Sequence, residues 1–189
     1  MERIVLASGS ARRRQLLEWA EVGFDVIVKN TDESYPSEMA IGEVPVYIAR
    51  NKALAVKEDL SHERVILAAD TVVVLGEEII GKPRDREDAI GILSRLAGNR
   101  HVVITGVVLL KGEEEIAFAD STQVWFHELT RQQIEDYVDK YKPYDKAGAY
   151  AIQEWIGVVG IRGIQGDFYN VMGLPVSRVV RELAKLLPV

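Results

Sequence analysis

A chain of 189 residues, 48% apolar and 28% charged, is long enough to bury a real core as one domain or as two closely joined lobes. It has no cysteine, which excludes disulfides, zinc–thiolate sites and cysteine nucleophiles. A net charge of −6 argues against nucleic acid or an anionic membrane as a partner, while leaving room for one local positive pocket.

Residues 3–7 read as a short strand that ends in Ser8-Gly9-Ser10. A helix follows, with Ser10 as N-cap and Leu16, Leu17 and Ala20 as its buried stripe. A strand, a small hydroxyl-rich loop and a helix N-terminus together offer backbone N–H groups and a positive dipole end to an anion. Arg12, Arg13 and Arg14 occupy the first helical turn, where cations oppose the macrodipole unless an anion compensates. At about 100° per residue, Arg13 falls on the buried side, with Arg12 and Arg14 flanking it in opposite directions. Arg13, with Arg12 as its neighbour, is expected to point into a site. The motif of a P-loop is absent.

Residues 24–28 alternate as a second strand and lead to Asn30-Thr31-Asp32-Glu33, then to a loop holding Pro36, Ser37 and Gly42. Either acid has the chemistry of a metal ligand, although alone both read as surface charge. The next helix starts near Pro45 and runs to about Asp59. On its wheel Val44, Ile48, Lys52 and Ala55 fall within roughly 80° of one another. Lys52 on that stripe either snorkels to the edge or points into a cleft.

Residues 65–75 are apolar or small apart from Asp70 and Thr71, the pattern of a strand buried on both faces. A carboxylate there is expensive and must be paired, metal-bound or protonated. The alternative is a turn aspartate between two short strands. Cations elsewhere, in the three arginines, Lys52 and Gly81-Lys82-Pro83, favour metal-assisted work on a phosphate.

Gly76 and Glu77 turn a hairpin that returns through Ile79-Ile80 to Lys82. Asp85 caps a helix burying Ala89, Leu93 and Leu96, and Gly98 ends it. Two long strands, 101–110 and 114–126, join at Lys111-Gly112-Glu113. Thr130 and Gln133 form a capping box for a helix reaching Tyr141. Residues 145–153 resemble a site-lining loop entering a strand. Strands over 158–161 and 168–171 are expected to flank a turn-rich 162–167, and Gly173-Leu174-Pro175 opens a last helix over 176–187. His62, His101 and His127 sit in polar or strand-edge contexts with no partner motif, so a histidine-centred mechanism is not expected. No apolar run approaches about 18 residues and the N-terminus lacks the layout of a signal peptide, so the expected location is cytoplasmic. The order is that of an α/β protein with a mixed sheet.

Ser8-Gly9-Ser10-Ala11-Arg12-Arg13, Lys52-Ala53, Ala69-Asp70-Thr71, Gly81-Lys82-Pro83, the run from Asp145 to Gln153, and Gly166-Asp167 through Gly173-Leu174-Pro175 together resemble the Maf family of nucleoside triphosphate pyrophosphatases. The resemblance covers nearly the whole chain in the family's order. It implies a single domain with a curved mixed β-sheet in two lobes around a central cleft, as in the inosine triphosphatases. It also implies hydrolysis of a nucleoside triphosphate at the α–β phosphate bond with a divalent metal, Mg²⁺ or Mn²⁺, and a homodimer as a possible assembly. By that resemblance Ser8, Arg12, Arg13, Lys52 and Lys82 would hold the triphosphate. Asp70 would be the general base or a metal ligand, with Glu33 as the second carboxylate at the metal. Arg12, Thr71 and Gln153 would set selectivity. The Gln153 amide offers a donor and an acceptor to the edge of uracil or thymine, which points to the dTTP/UTP branch. A substrate such as 7-methylguanosine triphosphate, or a cell-division regulator without turnover, is the alternative. Two departures stand out: Ala11 where the family commonly has Pro, and Glu154 where it commonly has Gly.

Overall fold

The computed structural model describes residues 3–60 and 64–187, so His62 lies outside the described residues. The elements, in chain order, are β1 (Ile4–Leu6), α1 (Ala11–Trp19), β2 (Phe24–Val26), α2 (Val44–Lys57), β3 (Ile66–Leu75), β4 (Glu78–Ile80), α3 (Arg86–Leu96), β5 (Arg100–Lys111) and β6 (Glu114–Phe126). Then follow α4 (Arg131–Tyr141), a 3-10 turn over Ala147–Ala149, α5 (Trp155–Gly160), β7 (Ile161–Gln165), α6 (Phe168–Met172) and α7 (Val176–Leu186). Among the described residues seven strands join one sheet in the order β2-β1-β3-β5-β6-β7, with β4 on β3. It is a mixed sheet. β1 runs parallel to β2 and β3, whereas β3–β4 and β6–β7 are antiparallel. No helix among the described residues is long and apolar enough to cross a membrane.

The chain divides into two compact units. The first comprises Met1–Asp70, Thr105–Asp120 and Gly173–Val189; the second comprises Thr71–Ile104 and Ser121–Met172. In the first, α2 packs on the sheet through small residues. Ala49 and Ala53 of the helix meet Val5, Ala7, Ile66, Ala68, Val108 and Leu110 of β1, β3 and β5 or their ends. Small side chains on both surfaces allow a close approach. At Gly106 of β5 an added Cβ would lie 2.2 Å from the Val46 backbone nitrogen, so the first turn of α2 rests directly on that strand. In the second unit α4 packs against α3 and buries Ile134, Tyr137 and Val138.

Capping signals proved reliable. The Ser10, Asp85 and Thr130 side chains accept from the N–H of Arg13, Asp88 and Gln133, and the Thr130–Gln133 capping box is complete. The region from 155 to 172 differs from expectation. Residues 158–161 were expected as a strand, but α5 covers most of them. The supposed turn 162–167 contains strand β7, and 168–171 is helix α6. Trp155–Gly160 is a short apolar run with no period to separate helix from strand. Gly157 allows the helix to fold onto the preceding turn, because a Cβ there would meet the Ile152 carbonyl oxygen at 1.7 Å. α6 begins where Asp167 Oδ1 accepts from the Tyr169 N–H at 2.8 Å, a local bond that competes with extended structure. β7 tolerates Gly163 because it lies at the edge of the sheet.

His101 is a second correction. It is buried within β5, not at a polar strand edge, with its Nε2 2.7 Å from the Tyr150 hydroxyl and its ring edge-on to Phe126 and Tyr150. Burial pushes its pKa down to about 4, so the ring is neutral at pH 7.

The seating of α2 is testable at Gly106. Gly106→Ala should lower stability by about 1–3 kcal/mol, the cost of forced overpacking. Denaturant unfolding measures it, and an unchanged midpoint would show that α2 does not rest on β5 at this point.

Candidate active site

β1 ends at Ser8, whose side chain is buried. Its Oγ accepts from Arg13 Nη1 at 3.1 Å and from the Ser10 N–H at 3.3 Å. Arg13 Nε donates to the Gly173 carbonyl at 2.8 Å, so the guanidinium is held from two sides. Its burial is the largest influence on it, bringing its pKa down to about 10; Asp70 and Glu33 act in the opposite direction, and Arg12 reinforces the fall. Arg13 therefore stays charged at neutral pH. Arg12 is half-buried, while Arg14 is exposed and donates to the Gly9 carbonyl at 3.3 Å. The first turn of α1 thus carries no acid and three arginines, and its wheel separates them as the spacing implies.

Asp70 lies within β3, which runs unbroken past it, and is no turn residue. Its Oδ1 accepts from Lys52 Nζ at 2.8 Å. Glu33 Oε1 lies 2.8 Å from the same ammonium. The Lys52 and Asp70 side chains are 17% and 15% exposed, against 49% for Glu33. Lys52 therefore points inward to a carboxylate pair and does not snorkel to solvent. Burial of Asp70 is made tolerable by this charge-assisted bond. Between the two loop acids the structure also discriminates: Asp32 turns back to Ser34, accepting from its N–H at 2.9 Å, and Glu33 faces Lys52.

The first unit therefore gathers Ser8, Arg12, Arg13, Glu33, Lys52 and Asp70. Thr71, Lys82 and Gln153 belong to the second. Thr71 is half-buried in β3, and Lys82 is exposed just after β4. The Gly148 N–H donates to the Gly81 carbonyl at 3.1 Å, which joins the Lys82 loop to the loop leading to Gln153. Gln153 is exposed at a turn closed by the Glu154 N–H bonding to the Ala151 carbonyl at 3.1 Å. The loop does not enter a strand, as expected from sequence, but passes into α5. Two contributions are absent from the sequence reading. Gly173, which belongs there to the opening of the last helix and to the family-like stretch ending at Pro175, supplies the carbonyl that orients Arg13. Tyr137, on the buried face of α4, donates to Glu154 and accepts from Ala151. A buried tyrosine needs a partner for its hydroxyl, and that was the available signal.

The family model described as Maf-like protein matches residues 3–186. A dTTP/UTP pyrophosphatase of Cytophaga hutchinsonii is 50% identical over 183 residues, covering 97% of this chain and 84% of the relative. One of Parabacteroides distasonis, with the same name, is 46% identical over 96% of this chain and 94% of its own. Among solved structures, the Ham1 protein of Staphylococcus aureus shares the fold with a TM-score of 0.51 at 17% identity, covering 96% of this chain and 100% of its own. With the family model spanning nearly its full length, the chain belongs to the Maf-like family.

Proposed function

We propose that this chain hydrolyses pyrimidine nucleoside triphosphates, dTTP and UTP foremost, at the α–β phosphate bond to the nucleoside monophosphate and pyrophosphate. The observation that carries the reading is the pairing of Asp70 and Glu33 with Lys52 in the unit that also holds Arg13. Relatives at 50% and 46% identity named dTTP/UTP pyrophosphatase support the choice of substrate.

In this reading Arg13, Arg12, Ser8 and Lys52 bind phosphate oxygens, and Lys82 is proposed as a further cation for the triphosphate. Fixed charges of this kind neutralise what develops on the leaving pyrophosphate without reorganising in the transition state. Arg13 is preorganised for that work by Ser8 and the Gly173 carbonyl. The donor set suits a magnesium or manganese ion. Asp70 and Glu33 both reach the Lys52 ammonium at 2.8 Å, which puts two carboxylates close together, and hard divalent ions of this size take one or two carboxylates completed by substrate phosphates and water. Among the described residues no group of three or more His, Cys, Asp and Glu is placed for a metal, so these two carboxylates would hold it together with the substrate. Such an ion supplies charge neutralisation on the phosphates and a more acidic water. Asp70 has a second carboxylate oxygen, and that oxygen is the acceptor for the proton of the attacking water. Gln153 presents its carbonyl to the N3–H of uracil or thymine and its NH₂ to a ring carbonyl. Thr71, beside Asp70, and Arg12 are the remaining selectivity positions.

The direct test is incubation with dTTP, UTP, dCTP and 7-methylguanosine triphosphate in the presence of Mg²⁺, with product analysis. Monophosphate and pyrophosphate in equal amounts from dTTP and UTP are expected. A diphosphate with orthophosphate would overturn the choice of bond, and nucleotide binding without turnover would make the chain a regulator.

The arginines give a second test. Arg13→Ala should weaken pyrophosphate binding by at least about tenfold, as loss of a charge-assisted pair implies, whereas Arg14→Ala should leave it within about twofold. Titration calorimetry reads both. Equal losses would mean that all three arginines serve the anion.

A further inference from the structure

Gln153 is exposed, and among the described residues nothing hydrogen-bonds its amide. Only the backbone that carries it is therefore held, and that backbone sets the point from which the side chain reaches out. That backbone is held with unusual care. Tyr150, Ala151 and Ile152 are all buried, and the chain emerges only at Gln153. The turn is closed by its own bond between the Glu154 N–H and the Ala151 carbonyl. A second closure comes from α4. The Tyr137 hydroxyl accepts from the Ala151 N–H at 3.2 Å and donates to Glu154 Oε2. One buried hydroxyl thus holds residues 151 and 154, the two ends of the turn that has Gln153 near its tip.

Glu154 is committed to this task. It stands at the N-cap of α5, where an acidic side chain ordinarily accepts from the helix's first N–H groups, yet it makes no such bond. Its carboxylate faces Tyr137, with Lys146 Nζ 3.9 Å from its other oxygen. An ionised carboxylate only accepts, so Tyr137 must spend its one proton on Glu154 and turn a lone pair to Ala151. The hydroxyl's direction is fixed, and with it the turn. Behind the turn, the Tyr150 hydroxyl is fastened to His101 Nε2 at 2.7 Å.

We propose that Tyr137 and Glu154 are positioning residues for Gln153, and that selection of the base depends on the hydroxyl bridge they build across its turn. The proposal rests on the reading of Gln153 as the residue that meets the base. An amide reads thymine and cytosine in opposite orientations, since cytosine offers an acceptor at N3 and an amine at C4 where thymine offers an N–H and a carbonyl. Loosening the turn lets the amide drift from the place at which its carbonyl and NH₂ meet the N3–H and carbonyl of thymine together, and the preference for that edge weakens. Discrimination requires the donor and acceptor to be held within about 0.5 Å.

The test is the ratio of kcat/KM for dTTP over dCTP in Tyr137→Phe, Glu154→Ala, Glu154→Gln and Gln153→Ala, with pyrophosphate binding measured alongside. Tyr137→Phe and Glu154→Ala should each lower the ratio about tenfold, chiefly through KM, because uniform positioning of the bound base is what is lost. Glu154→Gln keeps an acceptor for Tyr137 and should restore most of the ratio. Pyrophosphate binding should not change in any variant, which also shows that each has folded; should one fail that control, the other of Tyr137→Phe and Glu154→Ala decides. If these two variants leave the ratio unchanged, or slow all substrates equally, the positioning role is overturned. If Gln153→Ala itself leaves the ratio unchanged, the base-reading role falls, and the bridge falls with it.

Discussion

The bond between Lys52 and Asp70 is the constraint on which the first unit depends. A carboxylate in a strand as apolar as β3 would cost stability if left unpaired. Its partner must come from a neighbouring element at close range, and α2 supplies it. That closeness follows from Ala49 and Ala53 on the helix, Ala7 and Ala68 opposite, and Gly106 beneath the first turn. Larger residues at these positions would raise the helix off the sheet and carry the ammonium away from Asp70. A packing decision made by small apolar residues thereby sets the electrostatics of a polar site. Glu33 completes the arrangement from the loop after β2, so one ammonium answers two acids.

Much of this was legible in the sequence, because its signals are local. Ser10, Asp85 and Thr130 announce helix starts by a side chain that replaces a missing backbone partner. The wheel of α1 separated Arg13 from Arg14 by angle alone. Angle says nothing of depth, however, and so Lys52 could be placed on the apolar stripe but not aimed. Whether it snorkelled or turned inward was decided by how near α2 lies to β3, a property of residues distant in sequence. The stretch from 155 to 172 was misread for another reason. Trp155–Gly160 is too short for its period to declare itself, and its helical form depends on Gly157 meeting the Ile152 carbonyl. His101 was misjudged because its burial is produced by Phe126 and Tyr150, 25 and 49 residues away.

The two units use charge in different ways. The first concentrates charge: arginines at a helix start, a lysine between acids, and a buried guanidinium held by Ser8 and Gly173. Charge of this kind suits phosphate, which differs little from one nucleotide to the next. The second unit invests instead in direction. Buried hydroxyls of Tyr137 and Tyr150 hold backbone and side chain through neutral or singly charged partners, and burial raises the pKa of both phenols well above the ordinary value. These hydroxyls keep their protons across the physiological range. A fixed hydrogen-bond direction is what discrimination between bases requires, and total charge cannot provide it.

The central claim is that Asp70 receives the proton of the attacking water while the surrounding cations bind the phosphates. The measurement that tests it most directly is turnover and equilibrium binding of dTTP by Asp70→Asn, made on the same preparation. Asparagine keeps the shape of the side chain and can still accept from Lys52, but it has no carboxylate to take a proton. The account predicts loss of pyrophosphate release with dTTP affinity retained within about tenfold, or about 1.4 kcal/mol. Turnover near that of the parent protein would contradict it.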